Sequence, residues 1–456
     1  MSVTLRPYQE TIVADCRTAF REGERKVVVQ LATGGGKTVL GSFMVNGSQQ
    51  RGRVCWWLVH RRELIRQASK TFYDMGIPHG IIAGGHASDP NALVQVASIQ
   101  TIARRLDHLP PPDMIVFDET HHIGAAQWSE IFARFPNAYV LGLTATPWRL
   151  DGRGLGGWYG RMVQGPAVGD LIESGSLSNY RLFAPSQPDL SGVETQAGDY
   201  KQRSLASVMD KPSITGDAVQ HYSRFCPGKR AVAFGVSIEH SQHIAAQFNA
   251  SGIPAEHVDG QMDHGNRDAA VARFVAGETL ILCNADLFGE GFDVPAIEAA
   301  ILLRPTQSLS LYLQQVGRAL RPSPGKERAV ILDHAGNSLR HGLPDDDRDW
   351  SLEDREKKRR GEKSESPVRQ CLKCFRVYRP AKECPGCGTA APVQAREVEQ
   401  VEGSLVEVDA SAAKRARWIE ERECSTLEDW QRLAAARGYK AGWAMVRYQA
   451  RQRRAA

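Results

Sequence analysis

The sequence predicts an α/β fold: two doubly wound parallel-sheet units in tandem, then a small cysteine module and a basic helical end. Three observations carry this. Short apolar runs alternate with stretches of helical periodicity, first from Val27 to Leu143 and again from Arg230 to Leu320, as parallel strands covered by helices require. A glycine-rich turn separates the first apolar run from the first helix it feeds. Far downstream, four cysteines form two Cys-x-x-Cys pairs.

Val27-Val28-Val29 reads as a buried strand and Val39 to Met44 as the first turns of a helix. Between them lies Gln30-Leu31-Ala32-Thr33-Gly34-Gly35-Gly36-Lys37-Thr38. Three glycines let backbone N–H groups wrap a polyphosphate without Cβ clashes. Lys37 is placed to reach the outer phosphates, and the Thr38 hydroxyl to ligate Mg²⁺. Leu31 stands where a Gly or Ala usually opens such a loop. Upstream, Leu5-Arg6-Pro7-Tyr8-Gln9 puts Pro7 in the first turn of a helix. The Gln9 amide suits the N6 and N7 edge of adenine; taken alone, an ordinary exposed polar residue is the simpler reading.

Val54 to Val59 is the next strand, running into Arg61 and Arg62 on the side where ligands of open α/β sheets bind. Gln95 to Thr101 is a strand entering a polar turn. Met114 to Phe117 is an apolar strand ending in Asp118-Glu119-Thr120-His121-His122. Two adjacent carboxylates at a strand end are costly without a cation. Mg²⁺ held through Asp118, with Glu119 polarising an attacking water, accounts for them. The histidines lack a third ligand for a metal site of their own. Tyr139 to Leu143 is a strand ending in Thr144-Ala145-Thr146-Pro147, either a plain turn or a link from the nucleotide site to a moving surface. The glycine-rich stretch from Leu150 to Gly165 reads as an irregular surface loop, and Asp189 to Lys211 as a polar insertion.

In the second unit, strands are expected at Arg230 to Gly235, Ala255 to Val258, Thr279 to Cys283 and Ile297 to Leu303, with helices at Ser237 to Ala250, Asn266 to Ala276 and Leu309 to Leu320. It has no phosphate loop. It offers Arg318 and Arg321 instead, one helical turn apart and suited to reach another domain's γ-phosphate. A surface arginine pair is the alternative.

Net charge is +5, and from Ala410 onward the chain carries eleven Lys/Arg against five Asp/Glu, enough to account for the whole excess. A local basic segment suits an anionic partner, nucleic acid first, or simply a solvated face. No run reaches the roughly 20 apolar residues of a membrane helix, and Met1 to Pro7 has no apolar signal-peptide core. A cytoplasmic protein with no membrane partner is expected. Nine cysteines in a reducing compartment argue for thiols and a metal site rather than disulfides.

Leu343 to Ser366 is highly charged. Pro344-Asp345 and Glu356-Lys357-Lys358 meet a loose nuclease pattern, but with almost nothing to bury they read as a solvated helix or linker. Cys371, Cys374, Cys384 and Cys387 have the two-knuckle spacing of a structural Zn²⁺ site. Pro385-Gly386 and Gly388 supply its turn. From Ala412 the chain is helical and basic, with Trp418, Trp430, Tyr439, Trp443 and Tyr448 interleaved. This suits nucleic-acid or protein docking, or a small module burying its aromatics.

These pieces occur in one order, and over residues 4 to 335 the chain strongly resembles the superfamily 2 helicases and translocases. Leu5 to Gln9 is similar to the adenine-reading motif, Ala32 to Thr38 to motif I and Leu58 to Leu64 to motif Ia. Asp118 to His121 resembles the DExH box, with Thr120 for the commoner Ala. Thr144 to Pro147 resembles motif III, Phe234 to His240 motif IV and Gly289 to Pro295 motif V. Gln314 to Arg321 matches the Q-x-x-G-R-x-x-R of motif VI. Leu143 to Leu155 and the late cysteines resemble the bacterial and phage RadD-like group, related to restriction-enzyme motor subunits.

The resemblance implies two RecA-like domains: 1–165 binding ATP, 166–212 connecting, and 213–340 as the second domain. A charged linker (341–367), a zinc ribbon (368–392) and a basic aromatic module (393–456) follow. It implies that Lys37, Asp118, Glu119, Gln314, Arg318 and Arg321 are catalytic. Gln9, Thr33, Gly34, Gly35, Gly36, Lys37, Thr38, Gly291 and Asp293 would hold ATP, with Mg²⁺ on Thr38 and Asp118. Arg61, His121, Thr144 and Thr146 would couple the site to nucleic acid. The implied activity is an ATP-dependent motor on single-stranded or branched DNA, with repair or recombination as the implied setting. A protein partner would dock on the ribbon or the basic end. A restriction-system motor, an ATPase-switched binding scaffold and an RNA helicase remain alternatives.

Overall fold

A computed structural model describes residues 4–455 except 85, 87–88, 90, 123–125, 150–151, 185–187, 197, 286–296, 355–367, 392–418, 422 and 440. The chain forms two compact units, Met1–Ala391 and Pro392–Ala456. The first holds two parallel sheets.

The first sheet comprises β1 (Lys26–Gln30), β2 (Cys55–Val59), β3 (Gly80–Ile82), β4 (Val94–Ser98), β5 (Met114–Asp118), β6 (Tyr139–Thr144) and β7 (Arg161–Gln164), in the order β3-β4-β2-β5-β6-β1-β7. Every pairing is parallel. Helices α1 (Pro7–Arg21), α2 (Lys37–Gln49), α3 (Arg62–Asp74), α4 (Ile99–Ile102) and α5 (Ala126–Arg134) belong to this lobe. β2 is buried along its whole length. Trp57 joins the apolar cluster on one face and Trp56 the cluster on the other, so this strand is a continuous apolar run rather than an alternating one.

The chain then passes through α6 (Val168–Glu173) into β8 (Tyr180–Phe183), a two-stranded hairpin of β9 (Thr195–Gln196) and β10 (Asp199–Tyr200), α7 (Gln202–Met209) and α8 (Pro212–Phe225). β11 (Ala231–Phe234), α9 (Ile238–Ala250), β12 (Ala255–Val258), α10 (His264–Ala276), β13 (Ile281–Asn284), β14 (Ala299–Leu302), α11 (Leu309–Ala319), β15 (Ala329–Asp333) and α12 (Asn337–His341) follow. The second sheet has the order β12-β13-β11-β14-β15-β8. The segment 166–212 is therefore more than a connector. β8 pairs in parallel with β15, Leu182 opposite Ile331, because Leu182 and Phe183 are apolar enough to be buried there.

Two further expectations change. Arg321 is not on the helix of Arg318. α11 ends at Ala319, and Pro322 disfavours helical backbone at the residue before it. Lys326 caps that end, its ammonium donating to the carbonyls of Ala319, Arg321 (2.7 Å) and Ile297 (2.9 Å). Burial holds this ammonium down to about 8, with Glu298 opposing. Nor is the segment after α12 a solvated linker over its described part. Leu343 is buried, and Trp350 and Leu352 are half-buried against the apolar clusters.

β16 (Arg369–Gln370) and β17 (Val377–Tyr378) form the antiparallel hairpin of the cysteine module. The module sits on the edge of the second sheet. The Ala184 N–H donates to Phe375 O at 3.0 Å, Phe183 bridges to Arg376, and the Gln370 amide donates to Ala184 O.

In the second unit, helices Leu427–Ala436 and Ala441–Ala455 form a hairpin turning at Gly438 (φ 68°). Thr426 and Asp429 cap the first reciprocally: Thr426 Oγ1 accepts from Asp429 N (3.2 Å), and Asp429 Oδ2 from Thr426 N (2.8 Å). Trp430 is buried, with Trp443 edge-on at 5.7 Å. These two aromatics thus build a core; Tyr439 is exposed, and Trp418 lies outside the described residues. Among the described residues no helix is long and apolar enough to cross a membrane.

Candidate functional site

Gly34 and Gly36 take φ values of 86° and 85° between β1 and α2, a left-handed turn that glycine adopts without strain. Gly36 is the N-cap of α2. The backbone N–H groups of the helix start, with its positive dipole end, suit an anion there. α1 braces the loop from behind: Tyr8 Oη donates to Gly35 O at 2.8 Å, and Gln9 Nε2 to the carbonyls of Gly35 and Gly36 at 3.3 Å. Gln9 Oε1 accepts from Arg6 N at 2.9 Å. Gln9 is therefore buried, not an exposed polar residue. Tyr8 was not singled out by the sequence, and its position directly before Gln9 was the available signal.

Strand register gathers the rest. Gln30 lies opposite Thr144, and Asp118 opposite Leu143, so three strand ends meet beside the phosphate loop. Asp118 is buried, and its Oδ1 accepts from Glu119 N at 3.1 Å. Glu119 has a φ of 50°, a conformation costing a non-glycine residue about 1–3 kcal/mol and concentrated at functional sites. Its Oε1 is 3.8 Å from Lys37 Nζ and its Oε2 3.4 Å from His121 Nδ1. Lys37 Nζ also donates to Leu31 O at 3.3 Å. Thr38 is half-buried at the start of α2, and the Thr33 hydroxyl is buried without a hydrogen-bond partner among the described residues. Lysine, two carboxylates and a hydroxyl around a ring of N–H donors could hold a metal-bound polyphosphate.

From His121, which lies against Glu119, a hydrogen-bonded chain leads into the second lobe. Thr144 Oγ1 donates to Thr146 O at 2.6 Å and accepts from Thr146 N at 3.1 Å. Its one proton is thus committed, so His121 Nδ1, 3.1 Å away, is the donor to Thr144 Oγ1. His121 Nε2 then accepts from the Gln314 amide at 3.4 Å. Thr146 Oγ1 donates to Ser310 Oγ at 2.7 Å. Both Gln314 and Ser310 belong to α11. Ser310 carried no sequence signal beyond its place in a helix start capped by Ser308.

α11 lies directly on the phosphate loop. A Cβ on Gly317 would stand 2.5 Å from Thr33 Cβ, and one on Gly34 would stand 3.3 Å from Arg321 Cγ. Arg318 is buried next to this contact. Arg61 sits apart, as the N-cap of α3, near enough to Arg304 of the second lobe to depress its guanidinium, after the larger effect of burial. Gly291 and Asp293 lie outside the described residues.

The four late cysteines come together in the edge module. Their sulfurs lie within 4.8 Å of one another, with Cys371–Cys387 at 3.5 Å and Cys374–Cys384 at 3.6 Å. A tetrahedron of ~2.3 Å Zn–S bonds has edges of about 3.8 Å. Burial pushes the Cys374 thiol up to about 12, while the Thr389 hydroxyl and N–H hold Cys387 down to about 6.

Residues 2–149 match the family described as the type III restriction enzyme, res subunit, and residues 217–323 match the helicase conserved C-terminal domain. A 51.5 kDa protein of a Lactococcus phage is 33% identical over 90% of this chain and 88% of its own length. The putative ATP-dependent helicase IRC3 of Saccharomyces cerevisiae is 32% identical over 73% of this chain. The match spans about half of the yeast protein, 52%. Among solved structures, a fragment of a putative HsdR subunit of a type I restriction enzyme from Vibrio vulnificus has the same fold. Its TM-score is 0.58 at 22% identity, covering 73% of this chain and 64% of that one.

Proposed function

The chain belongs to the superfamily 2 helicases and translocases, a family of nucleic-acid-dependent ATPases, and from that premise we propose that it is a DNA motor driven by Mg-ATP hydrolysis between its two sheets. The observation that carries the reading is the seating of α11 on the other lobe's phosphate loop, with Gln314 and Ser310 bonded to the acid-pair side of the first sheet. A site shared between two lobes changes whenever they move apart, which is what a motor needs.

In this reading the loop 33–38 binds the phosphates and Lys37 their outer charge. Thr38 and Asp118 would hold Mg²⁺, whose charge would offset that developing on the phosphoryl group. Glu119 takes the proton of the attacking water. Arg318 and Arg321 approach from the second lobe and stabilise the transition state. Gln9 serves the same site by holding the carbonyls of Gly35 and Gly36, and Gly291 and Asp293 belong to it as well. Arg61 touches the nucleic acid, while His121, Thr144 and Thr146 report its state to Glu119. DNA is proposed over RNA because a relative covered over 81% of its own length, from Sulfurisphaera tokodaii, is named as the DNA 3'-5' translocase XPB2.

Steady-state ATPase of the purified protein, compared with single-stranded, forked and duplex DNA and with RNA, tests this. Stimulation by DNA and not by RNA is expected. Equal stimulation by RNA would overturn the choice of nucleic acid; none at all would overturn the motor.

The cysteine module is proposed to hold one structural Zn²⁺. Sulfur spacing supports it, as does the small apolar cluster of the hairpin itself, in which two of the three buried residues are the cysteines Cys371 and Cys384. Cys374→Ser should release the metal, read as loss of one equivalent by atomic absorption, and expose residues 368–391 to protease. Unchanged metal content would refute the assignment.

A further inference from the structure

Two stretches that looked unrelated in sequence, the glycine-rich loop after Pro147 and the charged segment after α12, meet across the molecule. Residues 343–354 leave the second lobe as a strap. Its base is a turn built around the half-buried Arg348, whose guanidinium donates to the carbonyls of Leu343 (2.7 Å), Asp346 (2.8 Å), Pro344 (3.2 Å) and His341 (3.3 Å). Asp345 accepts from Tyr180 of β8, and Arg379 of the cysteine module pairs with Asp345 (3.3 Å) and Asp346 (3.1 Å). The base is thus tied to the edge of the second sheet and to the cysteine module.

The tip reaches the first lobe. The Trp350 ring lies 4.9 Å from that of Trp148, and Trp148 Nε1 donates to Glu353 O at 3.1 Å. Gly156 N donates to Leu352 O at 2.8 Å, and Gly154 N to Asp354 Oδ1 at 2.9 Å. The glycines of this loop are what let the strap backbone in: a Cβ on Gly154 would stand 2.1 Å from Leu352 O. Trp148 is two residues past Thr146, whose hydroxyl bonds Ser310 of α11. The turn 144–148 is therefore held from two sides by the second lobe, by α11 through Ser310 and by the strap through Trp350. Between these holds lies a cavity of about 130 Å³ lined by Thr33, Ala145 and Gly317 on the site side and by Asp349 and Trp350 of the strap.

We propose that Trp350 is a positioning residue of the motor: through Trp148 it fixes the 144–148 turn in the register at which Thr146 meets Ser310 and Thr144 meets His121, and so couples turnover to DNA. The turnover part rests on the motor reading above; the grip of the strap does not. Among the described residues Trp350 makes no hydrogen bond to the phosphate loop or the acid pair, so losing it should spare the unstimulated reaction.

The test uses the full chain as wild type, Trp350→Ala, Trp350→Phe and Gly154→Ala, which displaces the strap without altering it. Two readouts are taken: amide hydrogen exchange of residues 145–157, and ATPase with and without single-stranded DNA. In Trp350→Ala and Gly154→Ala, exchange should quicken. DNA-stimulated kcat should fall on the order of tenfold, with the KM for ATP and DNA-free turnover within about twofold of wild type. Trp350→Phe, which keeps an aromatic ring against Trp148, should restore most of both. Unchanged exchange in both disruptive variants overturns the strap's grip. An equal fall with and without DNA, or no rescue by Phe, overturns the positioning role. A wild type without DNA stimulation sinks the motor reading and this role together, and exchange still decides the grip.

Discussion

Glu119→Gln is expected to lower ATP turnover by about 10²–10⁴-fold, the usual worth of a general base, while nucleotide binding and thermal stability stay near wild type. The amide is isosteric, so the contacts of Lys37 and His121 around position 119 keep their spacing. What is lost is the ability to take a proton from water. The backbone at 119 is held at φ 50° in either residue, so the substitution adds no new strain. Lys37→Ala should be as damaging to turnover by a different route: it removes a buried cation at the start of α2, inside the loop itself, and should raise the KM for ATP as well. Loss of kcat alone in the first variant and of both constants in the second would separate the roles. Nucleic-acid-stimulated turnover above a tenth of wild type in Glu119→Gln would show that another group activates the water.

The sequence made the interior of both sheets legible and their edges much less so. β1, β2, β5, β6, β11 and β14 are buried on both faces over most or all of their length, so they stand out as apolar runs. β7 has one buried residue of four, and β8 begins with a half-buried Tyr180 and an exposed Arg181. Such edge strands are defined by a partner, Val29 for Val163 and Ile331 for Leu182, that lies more than a hundred residues away. β15, though buried throughout and apolar up to Asp333, also went unread. The site divides in the same way. Lys37, Asp118 and Glu119 announce themselves because their chemistry is local to a strand end. The target of Gln9 does not, since nothing in a helix start says that its amide will rest on Gly35 and Gly36. The strap was misread because charge dominates its composition, whereas three residues, Leu343, Trp350 and Leu352, decide where it goes. Their receptor is a glycine loop whose purpose shows only once Leu352 O is seen against Gly154.

Gly317→Val should separate folding from function more cleanly than any change in the acid pair. Gly317 lies inside α11, where glycine costs about 1 kcal/mol relative to alanine, so a β-branched side chain does not harm the helix itself. Its Cβ, however, would meet Thr33 Cβ at 2.5 Å and Thr33 Cγ2 at 2.7 Å, distances that no pair of carbons tolerates. The second lobe must then stand off by an ångström or more. A displacement of that size costs about 10²-fold when it misplaces catalytic groups, and Gln314 and Arg318 sit on the same helix as the obstruction. Turnover with DNA should fall by about that factor, while binding of a fluorescent ATP analogue to the first lobe and the unfolding temperature change little. Gly317→Ala should give a smaller loss, because a methyl group makes the same first contact but not the next. Thr33→Gly removes the atoms that are struck, so adding it to Gly317→Val should recover part of the activity even though Thr33→Gly alone gains nothing. Such non-additivity is expected only of residues in contact; strictly additive losses, or wild-type turnover in Gly317→Val, would mean that the active arrangement does not bring α11 onto the phosphate loop.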